Sequence, residues 1–225
     1  MSPPSSTDGG DSPGLDRAIA AFAAGDPVLI HDAADREGEV DLVYPAGAVE
    51  AGDVARLRTD AGGLICVALA DPVAEAFGLP FLADAVDHPA TENHALSYDD
   101  RSSFSLTVNH RDTATGVTDH DRARTITALA AAAADPERTA FAETFRSPGH
   151  VHLLRGAAGG VAERTGHTEL GLALAAAADR PPAVVVCEML DDETGKATTP
   201  ADARAYADRE GLVYVEGRAI VDRLG

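Results

Sequence analysis

The segment AVVVCEML, residues 183 to 190, is apolar at nearly every position. A strand with one wet face alternates apolar and polar residues, and this one does not. It is predicted to be buried on both faces, within a sheet that carries helices on each side. LICVAL, residues 64 to 69, reads as a second, shorter strand of that kind. The remaining strands are expected in PVLIHD, DLVYPAG, SFSLTV, LVYV and the second half of FRSPGHVHLLRG.

Helical spacing marks LDRAIAAFAAG, AVEAGDVARLRTDAGG, TDHDRARTITALAAAAADP, HTELGLALAAAADR and TPADARAYADREG. Thr118 or Asp119 can cap the third of these, and Pro136 follows its end. Thr199 can cap the last, with Pro200 at its first position. Residues 71 to 100 are rich in loop signals, with Pro72, Pro80 and Pro89. Several strands follow one another with no helix between them, so the sheet is predicted to be mixed. The expected fold class is α+β: a single domain, a mixed β-sheet with helices packed on its faces, resembling an α/β/α sandwich. A Ser-, Pro-, Gly- and Asp-rich start, residues 1 to 13, reads as a disordered tail, and residues 14 to 225 as the domain.

Composition narrows the function classes. No apolar run approaches the ~20 residues of a membrane span, and the N-terminal stretch lacks the basic and apolar regions of a secretory signal. A cytoplasmic protein without a membrane partner is expected. The net charge is −19, which argues against nucleic acid as a partner because phosphates would be repelled. Lys196 is the only lysine, and every other basic residue is Arg. An acidic surface stripped of lysine suits a halophilic cytosol, where salt screens the self-repulsion. A GC-rich coding bias, which also favours Ala, Arg, Asp and Gly, is the alternative. Cys66 and Cys187 each sit in an apolar stretch, consistent with a reducing compartment rather than a disulfide.

Three segments carry more polar chemistry than a core strand or plain turn needs. The first is DREGEVD, a crowded acidic turn between two predicted strands, with Arg36, Glu37, Glu39 and Asp41. The second runs through SPGHVHLLRGAAGGVAERTGHTEL and includes His150, His152, Arg164 and His167. There, Arg164, Thr165 and Thr168 would surround a helix start whose free N–H groups favour an anion. An ordinary capped helix is the competing explanation. The third is Glu188, a carboxylate at the end of a buried strand, costly unless paired or used. A salt bridge to Arg36 or Arg164 is its structural alternative. In a regular strand His150 and His152 would share a face. Glu37 or Glu39 together with His167 would suit a hard cation such as Mg²⁺.

Taken in order, DREGEVDLVYPA, GLICVAL, ATGVTDHDRARTI, SPGHVHLLRGAAGGVAERTGHTEL and VVVCEML resemble the 3,4-dihydroxy-2-butanone 4-phosphate synthases of riboflavin biosynthesis. The resemblance runs from about residue 15 to the C-terminus. It implies a lyase that converts ribulose 5-phosphate to a four-carbon dihydroxybutanone phosphate and formate. It also implies Mg²⁺, or Mn²⁺, as cofactor, with no organic cofactor. The partners implied are a sugar phosphate and a second copy, in a homodimer with interfacial active sites.

By the same resemblance, Glu37 and His167 match the metal ligands, and His150 and Glu188 the residues essential for acid–base work. Arg36, Glu37, Asp41, Arg164, Thr165, Gly166, His167, Thr168 and Glu188 match substrate contacts. Cys66, Thr115 and Asp121 match pocket positions. The chain departs from the family at Val40, in DDETGKAT (residues 191 to 198) and in TGVTDHD. It is expected to be monofunctional, without a GTP cyclohydrolase II domain. Another Mg²⁺-dependent sugar-phosphate isomerase or aldolase, or a non-catalytic homologue, are the competing functions.

Overall fold

The structure is a computed structural model that describes residues 12 to 32, 38 to 91 and 101 to 225. The first elements are α1 (Ser12–Ala24), β1 (Val28–His31), β2 (Val40–Pro45), α2 (Ala51–Thr59), β3 (Cys66–Leu69), α3 (Asp71–Ala76) and α4 (Leu82–Ala85). There follow β4 (Phe104–His110), α5 (Asp119–Ala134), α6 (Phe141–Thr144), β5 (Phe145–Arg155) and α7 (His167–Ala177). The chain continues through β6 (Ala183–Glu188), α8 (Pro200–Glu210), β7 (Val213–Glu216) and α9 (Gly217–Leu224).

The strands form one seven-stranded sheet in the order β4-β5-β3-β6-β2-β1-β7. It is mixed: β1 with β7 and β3 with β5 are parallel, and the other pairs are antiparallel. The α+β, single-domain expectation holds. β6, the uniformly apolar segment, lies in the middle of the order, where neither face can meet water.

Two cores flank the sheet. On one side Leu42, Tyr44, Val67, Val185 and Cys187 pack with Val54 and Leu57 of α2 and Ile126 and Leu129 of α5. On the other, Val43, Cys66, Val184 and Val186 meet Leu15 and Phe22 of α1, Leu170 and Leu174 of α7 and Ile220 of α9. Alternate residues of β2 and β6 therefore serve opposite cores. Each fully buried Leu, Val or Phe contributes about 1.5–3 kcal/mol. The predicted caps are present: Thr118 Oγ1 accepts the Asp121 N–H at 3.1 Å, and Thr199 Oγ1 accepts the Asp202 N–H at 3.2 Å. Such a cap is worth about 1 kcal/mol.

Three details differ from expectation. Helix α1 begins at Ser12, ahead of the helical spacing that starts at Leu15 in the sequence, and Pro13 is compatible with a first helical turn; residues 1 to 11, most of the stretch expected as a tail, lie outside the described residues. The loop-rich stretch after residue 70 contains α3 and α4, short helices of six and four residues. Pro72 falls in the first turn of α3, so a residue that reads as a breaker begins a helix.

The third difference is in β5. Val108 and Asn109, adjacent on β4, pair with Val151 and Arg146. Residues 147 to 150 therefore leave the ladder as a bulge, which the Gly149 N–H anchors to Thr107 Oγ1 at 3.1 Å. Pro148 has no N–H to give a ladder. His150 and His152 are thus not successive same-face residues of one regular strand, which corrects the periodicity expected from sequence.

Candidate active site

The sheet register gathers side chains from distant parts of the sequence. Asp41 of β2 pairs with Glu188 of β6. Cys66 of β3 pairs with Val186 of β6. Side chains alternate along a strand, so Asp41, Glu188 and Cys66 all point to the face covered by α7. The first residue of α7 is His167, and its Nδ1 lies 3.9 Å from Asp41 Oδ2. Asp41 is 1% exposed. The Glu188 carboxylate makes no hydrogen bond or ion pair with a described residue. Burial pushes the Cys66 thiol far above its ordinary range, and the Glu188 carboxylate adds to that shift, with Cys187 and Asp41 contributing less.

The helix start is built for close approach. Gly166 is the N-cap of α7. A Cβ at Gly166 would sit 2.6 Å from Arg164 Nη1, so the guanidinium packs closely over the glycine and would have to shift for any larger residue. Arg164 Nη1 donates to Glu169 Oε2 at 2.7 Å, and Glu169 Oε1 accepts the Ala157 N–H at 2.9 Å. Glu169 is 1% exposed. Arg164 thus pairs with Glu169, and the salt bridge from Arg164 to Glu188 weighed on sequence grounds is not formed. Thr165 is half-buried just before Gly166. Thr168 is fully buried, and its hydroxyl has no hydrogen-bond partner among the described residues. That hydroxyl and the first N–H groups of α7 can serve an anion at the helix start.

Arg36 and Glu37 lie outside the described residues. The described ends of β1 and β2 are joined through Asp32, whose N–H donates to Glu39 O at 3.1 Å and whose Oδ1 accepts the Glu39 N–H at 3.0 Å.

His150, Thr115 and Asp121 form a second group. The His150 ring lies against Asn109, and Asp121 Oδ2 accepts the Gly116 N–H at 2.8 Å and a weaker bond from Thr115 Oγ1 at 3.5 Å. The backbone N–H of Gly116 is the main reason the Asp121 carboxyl is held below its usual range. No hydrogen bond or ion pair joins this group to the Asp41, Glu188 and His167 group among the described residues. Asn109 was not among the residues singled out from sequence. Its signal was an amide ending an otherwise plain strand, SLTVN, where burial would demand partners.

Among the described residues no three His, Cys, Asp or Glu side chains converge tightly enough to hold a metal. A buried carboxylate beside a half-buried imidazole nonetheless suits a hard divalent cation, which takes few protein ligands and completes its shell with water and substrate oxygens.

The thiols permit a direct check. The raised Cys66 pKa, and that of Cys187, pushed up to about 12 chiefly by burial, keep both groups neutral well above pH 7, where an exposed thiol near pKa ~8.5 already reacts. In folded protein neither cysteine is expected to be alkylated at pH 8, and both should be after denaturation. Labelling of the folded protein, read by intact mass, would contradict this burial.

The chain matches the family model for 3,4-dihydroxy-2-butanone 4-phosphate synthase over residues 16–223. A protein of that name from Archaeoglobus fulgidus is 47% identical over 220 residues, covering 92% of each chain. A crystal structure of a 3,4-dihydroxy-2-butanone 4-phosphate synthase in complex with two magnesium ions superposes with a TM-score of 0.74. Its identity is 31%, covering 92% of this chain and 94% of the other. The Candida albicans enzyme superposes with a TM-score of 0.78 at 26% identity, covering 94% and 97%. Sequence, fold and end-to-end coverage agree, and the chain belongs to the 3,4-dihydroxy-2-butanone 4-phosphate synthase family.

Proposed function

We propose that this chain converts D-ribulose 5-phosphate to L-3,4-dihydroxy-2-butanone 4-phosphate and formate. The observation that carries the reading is the convergence of Asp41, Glu188 and His167 beneath the start of α7. The Glu188 carboxylate, which makes no hydrogen bond or ion pair with a described residue, lies there beside an anion-favouring helix end. Glu188 is the base that takes a proton from carbon next to the substrate carbonyl. Arg164, Thr165, Gly166 and Thr168 hold the phosphate, through the guanidinium charge, the Thr168 hydroxyl and the helix N–H groups. Asp41 and Arg36 hold sugar hydroxyls. His150 acts on the developing oxygen charge, and Cys66, Thr115 and Asp121 shape the pocket.

Glu37 and His167 would hold the divalent cation, Mg²⁺ or Mn²⁺, which when bound supplies Lewis-acid stabilisation of negative charge on adjacent sugar oxygens. The enzyme is a cytoplasmic homodimer with its sites at the subunit interface, as the family resemblance implies, and needs no organic cofactor. Among the described residues no helix is long and apolar enough to cross a membrane.

The test is formate release from ribulose 5-phosphate with and without Mg²⁺. Substrate consumed without formate would point to an isomerase or aldolase, and no turnover by folded protein to a non-catalytic homologue. His167→Ala is expected to lower formate release by about 100-fold or more, with a rise in the Mg²⁺ needed for half-maximal rate. Wild-type activity of that variant at low Mg²⁺ would remove His167 from the ligand set.

The acidic, lysine-poor surface also marks a salt-adapted protein. Raising KCl from about 0.15 M to about 3 M shortens the screening length to a few ångströms or less and should raise the unfolding midpoint by at least about 5 °C. A midpoint that does not move would leave codon bias as the cause of the composition.

A further inference from the structure

Asn109 is 3% exposed and is held by three groups. Its Oδ1 accepts the His150 backbone N–H at 2.8 Å. A backbone N–H can only donate, so this contact settles which end of the amide is oxygen. The Nδ2 end then faces the Thr115 carbonyl at 3.5 Å and the His150 ring Nδ1 at 3.1 Å. The backbone thus orients the amide from both ends. Nδ1 also lies 3.3 Å from Oδ1, which has a second lone pair, but the closer neighbour of Nδ1 is the amino group.

An amide nitrogen offers hydrogens and no lone pair. Paired with this nearer amino group, His150 Nδ1 accepts, and the hydrogen of the neutral ring resides on Nε2. We infer that Asn109 is a positioning residue that holds His150 in its Nε2–H tautomer, making His150 a hydrogen-bond donor to the reacting sugar rather than its base. A neutral ring that accepts at Nδ1 has only a hydrogen to present from Nε2. It stabilises negative charge on a substrate oxygen without a net proton transfer. The base role falls to Glu188. The two groups thus carry different tasks, as proton removal next to a carbonyl requires.

The surrounding loop is built to keep this amide in place. Gly116 has φ +84°, and a Cβ there would lie 2.1 Å from Asn109 Nδ2, so only glycine fits. The Gly116 N–H is tied to Asp121. Arg146 Nη2 donates to the carbonyls of Thr113 and Ala114, both at 3.3 Å. Asp121 and Arg146 thereby aim the Thr115 carbonyl at Asn109. This explains the presence of Thr115 and Asp121 near the site without requiring either to touch substrate.

The inference rests on His150 acting in the reaction, and the experiment separates the two. Protein labelled with ¹⁵N-histidine is studied by long-range ¹H–¹⁵N correlation, with His150 identified by its loss in His150→Gln. The wild-type ring should show an unprotonated Nδ1 and a protonated Nε2. Asn109→Asp keeps an oxygen for the His150 backbone N–H but replaces the amino donor with an acceptor, so the ring should switch to Nδ1–H. Formate release by Asn109→Asp should fall about 10- to 100-fold in kcat, with KM little changed. Asn109→Leu, if it folds, should show a mixture of tautomers. Full turnover by His150→Gln would overturn the underlying role of His150. Loss of turnover in His150→Gln, with wild-type tautomer or wild-type kcat in Asn109→Asp, would overturn the role of Asn109 alone.

Discussion

Glu188→Gln is expected to release formate at least about 10³-fold more slowly than the parent enzyme, within the range a positioned acid–base group contributes. Glutamine has the shape of glutamate and can accept a hydrogen bond, but it cannot take a proton. The Glu188 carboxylate carries no hydrogen bond or ion pair with a described residue. Its backbone carbonyl, which accepts the Gly62 N–H at 2.7 Å, is untouched by the change. The ladder to Asp41 is also a backbone feature. The loss should therefore appear in kcat, while the dissociation constant for ribulose 5-phosphate and the unfolding midpoint stay close to wild type. Single-turnover formate assays and calorimetric titration with substrate would measure the two separately. Retained turnover would remove Glu188 as the base; lost binding would make it a substrate anchor instead.

Glu169→Ala should lower stability by about 3–5 kcal/mol, the range seen when one member of a buried, hydrogen-bonded ion pair is removed. That is a large share of the roughly 5–15 kcal/mol that holds a domain together. Glu169 is buried, receives Arg164 on one oxygen and the Ala157 N–H on the other. Its removal takes a buried acceptor from both donors. The measurement is the urea midpoint at fixed high KCl, so that surface repulsion is equal in both proteins. Glu169→Gln, which can still accept the Ala157 N–H, should lose less. Replacing both Arg164 and Glu169 with methionine should recover much of the stability but not the activity, since Arg164 belongs to the proposed phosphate cradle. A loss below about 1 kcal/mol for Glu169→Ala would mean that water reaches the pair.

The acidic hairpin shows how far local pattern reaches. Two apolar runs around DREGEVD signal strand, turn and strand, and β1 and β2 pair antiparallel with His31 opposite Val40. The Thr118 and Thr199 caps lay within a few residues of the groups they satisfy, so they too could be seen in advance. The uniformly apolar β6 announced its own burial. The motif order identified the family before any contact was known. The role of Arg164 was legible only in part: its place beside the helix start followed from RTGHTE, but its partner did not.

What the sequence by itself determined is therefore the identity of the elements, the alternation that assigns each strand residue to a face, and the motifs that name the chemistry. These depend on interactions within a turn or two of chain. Only the tertiary structure decided that β6 inserts between β2 and β3, which sets Glu188 beside Asp41 and above Cys66. It also decided that the β5 bulge carries His150 onto Asn109 rather than along a regular strand. Strand order and bulge position arise from packing the whole chain around two cores at once. No local period encodes which distant segment will supply the neighbouring backbone, or which buried amide will hold the ring of a histidine.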